Sequence, residues 1–268
     1  MTAEAAASGK LDIGRVLGET FKVIGRNFIA FAGLGLILAG IPTGVIGMIQ
    51  GFWLQGGALA DGNLNMGIGY ITNMVLGVLV TLVATSILQG ALIHATVQDM
   101  NGQKPVLRES LANGLRFFLP MIGLSILIAL GTGLGMLLLI VPGIMAACAW
   151  CVAGPALVAE RTGVFGAFGR SAALTRGNRW RLFGLFVVIW LVLIVLIIIL
   201  GAVLGPVLAI NATTNPTAAA LSPITIGYNV IQQTLTSVIA AALTSVLYVE
   251  LRRAKEGLGA EGLAEIFS

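Results

Sequence analysis

The chain has 268 residues, 57% of them hydrophobic and 10% charged, and its mean hydropathy of +1.00 excludes a soluble domain of that length. Its Gly 36 and Pro 8 do not make it disordered, because so apolar a chain cannot stay solvated, and no Gly-X-Y period makes it collagen-like. Lys+Arg 15 against Asp+Glu 11 gives a pI near 9.4, a balance that suggests nucleic acid in a soluble protein and first suggests topology in a membrane protein.

Met1 to Lys10 contains Glu4 and no apolar core, so it is not read as a secretory signal peptide. A helix needs about 20 apolar residues to cross the hydrocarbon. Six windows meet that requirement: Ile29 to Gln50, Tyr70 to Thr96, Pro120 to Ile140, Gly143 to Ala159, Leu182 to Leu204 and Ile224 to Val249. Every amide in them must be paired internally, and the alternating segments of a membrane β-barrel are absent, so the fold class is an all-α polytopic membrane protein. Gly51 to Gly69 has turn chemistry, Val141-Pro142-Gly143 makes a tight connection, and Gly205 to Pro223 reads as an uncharged loop. Pro42 and Pro155 lie inside spans and are expected to bend or unwind them, freeing carbonyls.

All fifteen basic residues fall before span one, between spans two and three, between spans four and five, or after span six, while the opposite face holds only Asp61. The positive-inside rule then places both termini in the cytoplasm. Three basic segments also carry helical periodicity. The first has Ile13, Leu17, Phe21, Ile24 and Phe28, the second Leu107, Leu111, Leu115 and Phe118, and the third Val164, Phe168 and Ala172. Each is predicted to be an amphipathic helix lying in the headgroup plane.

Shifting the chain by 90 residues places Glu19-Thr20 on Glu109-Ser110, Arg26 on Arg116 and Gly33-Leu34 on Gly123-Leu124. A further 61 places Ser110 on Ser171 and Gly123-Leu124 on Gly184-Leu185. Three parallel repeats follow, each an interfacial helix plus a hairpin of two spans, at about 10–99, 105–160 and 163–252 within one membrane domain, with 253–268 as a cytoplasmic tail.

Val141-Pro-Gly-Ile144, Pro155, Glu160, Ala167, Arg170-Ser171 and Leu174-Thr-Arg-Gly-Asn178 resemble the bacterial glycerophosphodiester phosphodiesterase membrane-domain family, which includes the YciC-like inner-membrane proteins. Tyr248-Val-Glu-Leu-Arg252 with Lys255-Glu256-Gly257 is similar to the way those proteins end. The resemblance implies a six-span protein of the bacterial cytoplasmic membrane. Some relatives fuse this module to a soluble phosphodiesterase; with Ser268 as its end, this chain is expected to carry the membrane module without the catalytic domain.

Catalytic chemistry finds little footing. His94 has no His, Cys or carboxylate within a helical turn and reads as an interfacial polar residue, with a switch or ligand role as the alternative. Cys148-Ala-Trp-Cys151 has C-x-x-C spacing but no preceding strand, so buried thiols are the reading and redox or metal binding the alternative. No phosphate-cradling glycine loop occurs, and neither cofactor nor metal is expected. Gly40 with Gly44, Gly47 with Gly51, Gly131 with Gly135 and Gly201 with Gly205 suit close helix packing within the chain, or an oligomer.

The span windows contain no Asp, Glu, Lys or Arg, which argues against proton-driven transport. Asn73 and Gln89 in span two and Asn229, Gln232 and Gln233 in span six either hydrogen-bond between helices or line a pathway for a small neutral or lipid-like solute. Arg170, Arg176, Arg179 and Arg181 form the densest basic cluster, among Phe165, Phe168 and Trp180. They are expected to contact anionic headgroups or an acidic protein partner, and not nucleic acid, if they do more than set topology. The leading expectation is therefore a non-enzymatic membrane protein that associates with lipids or partner proteins in envelope organisation or regulation.

Overall fold

The computed structural model describes residues 11–55, 64–100, 102–214 and 222–256. Among them the chain forms α1 (Ile13–Arg26), α2 (Phe28–Gly35), a π-helical turn (Leu36–Gly40), α3 (Ile41–Gln55), α4 (Leu64–Met100) and α5 (Leu107–Leu138). It continues as α6 (Ile140–Trp150), α7 (Ala153–Glu160), α8 (Gly163–Thr175), α9 (Arg179–Thr214) and α10 (Pro223–Glu256), with no strand among the described residues. Six stretches are long and apolar enough to cross a membrane: Phe28–Trp53, Ile68–Met100, Leu107–Leu138, Ile140–Glu160, Arg179–Val203 and Pro223–Glu256. This is a helical, multi-pass membrane protein.

The helices outrun the apolar windows because backbone pairing continues past the point where side chains turn polar. Thus α10 runs beyond Val249 to Glu256, and α9 extends through Pro206 into the expected loop as far as Thr214. The centre of the first loop, including Asp61, and the tail from 257 onward lie outside the described residues. The tight third connection is a single extended residue, Leu139, so Val141-Pro142-Gly143 falls in the first turn of α6, where a proline costs no hydrogen bond.

Two of the three amphipathic segments, α1 and α8, are separate helices. The middle one is not: Leu107 to Phe118 continues through Pro120 into span three as one helix, α5. The carbonyl that loses its partner to Pro120 belongs to Arg116, an exposed residue at the polar end of that helix, where water can reach it.

The faces also differ from the expected ones. In α1 the buried residues are Val16, Thr20 and Val23, while Phe21 and Phe28 of the apolar stripe are exposed. At the start of α5, Ser110 and Gly114 are buried and Leu107, Leu115 and Leu119 face outward. In a membrane protein small residues permit close helix approach, and large apolar ones can be left to lipid. The three positions aligned by the repeat register, Thr20, Ser110 and Ser171, are all small hydroxyl residues of zero exposure.

The chain divides into two compact units, which cut across the sequence repeats: unit 1 is Met1–Phe31, Ser86–Ile189 and Val238–Ser268, and unit 2 is Ala32–Thr85 and Trp190–Ser237. In unit 1, Ile93, Met121, Leu124, Ala153, Leu157 and Ala167 form a core. Gly90 and Gly114 bring the backbones of α4 and α5 together, since a Cβ on Gly90 would stand 3.0 Å from the Gly114 Cα. Gly131 lies under Trp150, and Gly135 against Gly143. In unit 2, Gly40 and Gly44 both pack against Val230 of α10, whereas Gly47, Gly201 and Gly205 have open space at the Cβ position. Every charged residue among those described belongs to unit 1.

Candidate functional site

The polar chemistry of unit 1 begins at an interruption in span four. Pro155 has no N–H to give the Cys151 carbonyl, and the helix stops at Trp150 and restarts at Ala153. The Ala149 carbonyl, whose usual donor would be four residues on, instead accepts the buried Ser171 hydroxyl at 2.8 Å, with the Thr175 hydroxyl at 3.3 Å. Both come from α8, so a neighbouring helix takes up a carbonyl at the interruption. The Cys151 thiol donates to the Cys148 carbonyl at 3.1 Å, and both cysteines are free thiols. Trp150 meets Phe168 edge to face, with ring centroids 5.2 Å apart.

Next comes a network of ions. α7 ends on Arg161 in the left-handed region, φ 51°, and α8 starts on Gly163 at φ 73°, so the chain reverses within a few residues. The reversal sets Glu160 beside Arg170, whose Nε donates to its carboxylate at 2.7 Å. Arg170 also donates to Glu256 at the end of α10. Tyr248, fully buried, donates its hydroxyl to Glu160 at 2.8 Å, and Arg252 donates to Glu256 at 2.9 Å. Burial works against the charge on Arg170, but the hydrogen bonds to Glu160 and Glu256 outweigh it and hold the guanidinium above its ordinary pKa. On another face of α10, the buried Glu250 takes Arg15 of α1 at 3.1 Å and Arg253 at 2.9 Å. α1 and α9 are joined as well, since the Leu11 N–H donates to Asn178 at 3.3 Å and Arg181 donates to the Leu11 carbonyl at 2.8 Å.

The four arginines of the expected basic cluster therefore separate. Arg170 is shared between two carboxylates, while Arg176, Arg179 and Arg181 have no carboxylate partner among the described residues. These three flank the turn Arg176-Gly177-Asn178 and the first turn of α9, whose leading N–H groups lie outside the helical ladder. Arg181 uses one amino group on Leu11, and the buried Arg179 Nε has no partner among the described residues. Phe165 and Trp180 nearby are 81% and 72% exposed, large apolar surfaces beside positive charge. A helix N-terminus beside guanidinium groups that have no carboxylate partner among the described residues is suited to an anion.

The expected polar-pathway residues fall in both units. Gln89 belongs to unit 1; Asn73, Asn229, Gln232 and Gln233 belong to unit 2, where the Asn73 amide nitrogen is buried without a partner among the described residues and Gln233 donates to Ser237 at 3.3 Å. His94 lies 3.4 Å from the Ser110 hydroxyl, an internal contact between α4 and α5. No group of three His, Cys, Asp or Glu suited to a metal occurs among the described residues.

Sequence reasoning missed the roles of Glu160, Tyr248, Glu250, Arg252 and Glu256. The available signal was that all five belong to the stretches carrying the family resemblance, and that Tyr248, Arg252 and Glu256 recur every four residues, on one face of a helix. No family model matches the sequence, and neither a curated protein nor a solved structure matches it.

Proposed function

We propose that this protein is a non-enzymatic component of the bacterial cytoplasmic membrane that binds anionic lipid headgroups at its cytoplasmic face, through Arg176, Arg179 and Arg181 at the start of α9. The observation that carries this reading is the contrast within one basic cluster: Arg170 is neutralised by Glu160 and Glu256, whereas the other three lack carboxylate partners among the described residues. A positive charge beside an anionic leaflet contributes about 1 kcal/mol, and the exposed Trp180 and Phe165 suit the interface that such charges would occupy. With these residues at the inner leaflet, both termini are cytoplasmic. The family resemblance fits the same placement, and a role in envelope organisation or regulation is its biological counterpart.

The test replaces the three arginines by lysine together and leaves Arg170 alone. Lysine keeps the charge that sets topology but loses the planar pair of donors that grips a phosphate. The variant is expected to insert normally and to retain less phosphatidylglycerol than the wild type in native mass spectra. Equal retention would reduce the arginines to orientation signals. Unchanged lipid retention with lost capture of an acidic cytoplasmic peptide would transfer the site to a protein partner.

A further inference from the structure

Beside the interruption in span four, unit 1 contains a cavity of about 130 Å³ lined by Gln89, Ser125, Trp150, Cys151, Gly154 and Thr244 with apolar neighbours from the same helices. We propose that this cavity binds the uncharged head of a membrane-dissolved neutral lipid, one presenting a carbonyl or hydroxyl oxygen at the end of a hydrocarbon chain.

Depth supports this first. Gln89 and Thr244 each lie about five residues from the midpoints of the spans Ile68–Met100 and Pro223–Glu256, which at about 1.5 Å per residue is about 7 Å from mid-span. That is within the hydrocarbon, where an unpaired amide is costly. Yet the Gln89 side chain is exposed there, and neither Gln89 nor Ser125 has a hydrogen-bonding partner among the described residues. Of the other polar side chains of the lining, the Thr244 hydroxyl is committed to the Ala240 and Ala241 carbonyls and the Cys151 thiol to Cys148, while the Trp150 indole N–H has no partner among the described residues. Gln89 and Ser125 thus bring two unspent side-chain donors, beside that N–H, to a space walled with Ile93, Met121, Leu124 and Ile128.

Charge and size narrow the ligand. No Asp, Glu, Lys or Arg lines the cavity, so a phosphate or ammonium head would enter without a counter-ion. A neutral oxygen acceptor would pair with the two free donors instead. A cavity of about 150 Å³ admits benzene; this one, smaller at about 130 Å³ but open at an edge, takes the free hydroxymethyl end of a diacylglycerol whole or the carbonyl edge of a quinone ring in part. Exposure of Gln89 and Ala240 leaves an edge through which a ligand dissolved in the bilayer can enter with its tail remaining in lipid. The glycine at 154 keeps the wall thin, since a Cβ there would sit 3.5 Å from Met121 Cε, in ordinary contact.

Trp150 supplies the readout. Protein carrying Trp150 as its only tryptophan (Trp53→Phe, Trp180→Phe, Trp190→Phe) is placed in phosphatidylcholine vesicles and titrated with a brominated diacylglycerol or, in a second arm, with decylubiquinone. A protein carrying only Trp190, which is 62% exposed, reports random encounters in the bilayer. Trp150 quenching is expected to saturate in one arm, identifying the source of the head, while Trp190 quenching rises in proportion to ligand. Gln89→Leu with Ser125→Ala should raise the half-saturating mole fraction at least tenfold, and Gly154→Ala should raise it by reducing the space. Proportional quenching of Trp150 in both arms, or saturation unmoved by these substitutions, would overturn the proposal. If the tryptophan substitutions prevent folding, native mass spectra of the unmodified protein decide. An added diacylglycerol or quinone retained by the wild type and lost from the Gln89→Leu, Ser125→Ala variant supports it, and equal or absent retention rejects it.

Discussion

A methyl group added at Gly114 would run into the Ile87 carbonyl, and a backbone atom cannot swing aside as a side chain can. Gly114→Ala is therefore expected to force α4 and α5 apart at a cost of about 1–3 kcal/mol, measured as loss of thermal stability in detergent. Gly201→Ala, with nothing within 4 Å, should change stability by less than about 0.5 kcal/mol. The sequence ranks them the other way, since Gly201 has the spacing of a packing glycine with Gly205 while Gly114 stands in a basic amphipathic stretch; only the neighbour across the contact decides. The arginines show the same limit. Arg170 and Arg176 both read as basic residues on an amphipathic stretch, but Arg170 meets carboxylates on α7 and α10, whereas α10 reaches Arg176 only at its backbone carbonyl, through Lys255. Arg170→Lys should lose one of its two carboxylates, because an ammonium is a single compact charge, and so lower thermal stability, whereas Arg176→Lys should not.

At the level of the elements, the spans were legible because the hydrocarbon demands about 20 apolar residues wherever a helix crosses it. The faces of the amphipathic helices were harder to read, since in lipid an apolar stripe need not be the buried one. Val16, Thr20 and Val23 are buried in α1 one step round from the stripe that periodicity picks out. The interruption in span four was half legible: Pro155 announces a break in the helix, but that Ser171 donates to the Ala149 carbonyl beside it depends on how α8 folds back. Thr175 has one hydroxyl proton and three carbonyls in reach, at 2.9 Å on Ser171, 3.3 Å on Ala149 and 3.4 Å on Ala172. It can therefore turn toward Ala149 when Ser171 is lost. Ser171→Ala and Thr175→Val should each be mild, and the double variant should cost about 1–3 kcal/mol more than their sum. Additive melting temperatures in that cycle would remove the proposed exchange of donors.

Across the whole molecule, the sharpest division is of charge: unit 1 holds every charged residue described, and in the full sequence unit 2 adds only Asp61. That separation was visible in the sequence as the placement of basic residues, whereas the two units were not, because their members come from distant stretches brought together by packing. In a Cys148→Ala, Cys151→Ala background, Asn63→Cys and Thr214→Cys should react with an impermeant reagent from outside sealed cells, and Lys104→Cys only after the membrane is opened. Labelling of position 104 in sealed cells would reverse the proposed orientation. With that orientation, no cation is carried across as the three hairpins insert, and the one charge that must cross is negative. A membrane held negative inside then assists biogenesis, driving Asp61 outward with about 2.3 kcal/mol for each 100 mV. Asp61→Lys would turn the same field into a barrier of equal size, so that insertion of the first hairpin would come to depend on how strongly the cell is energised.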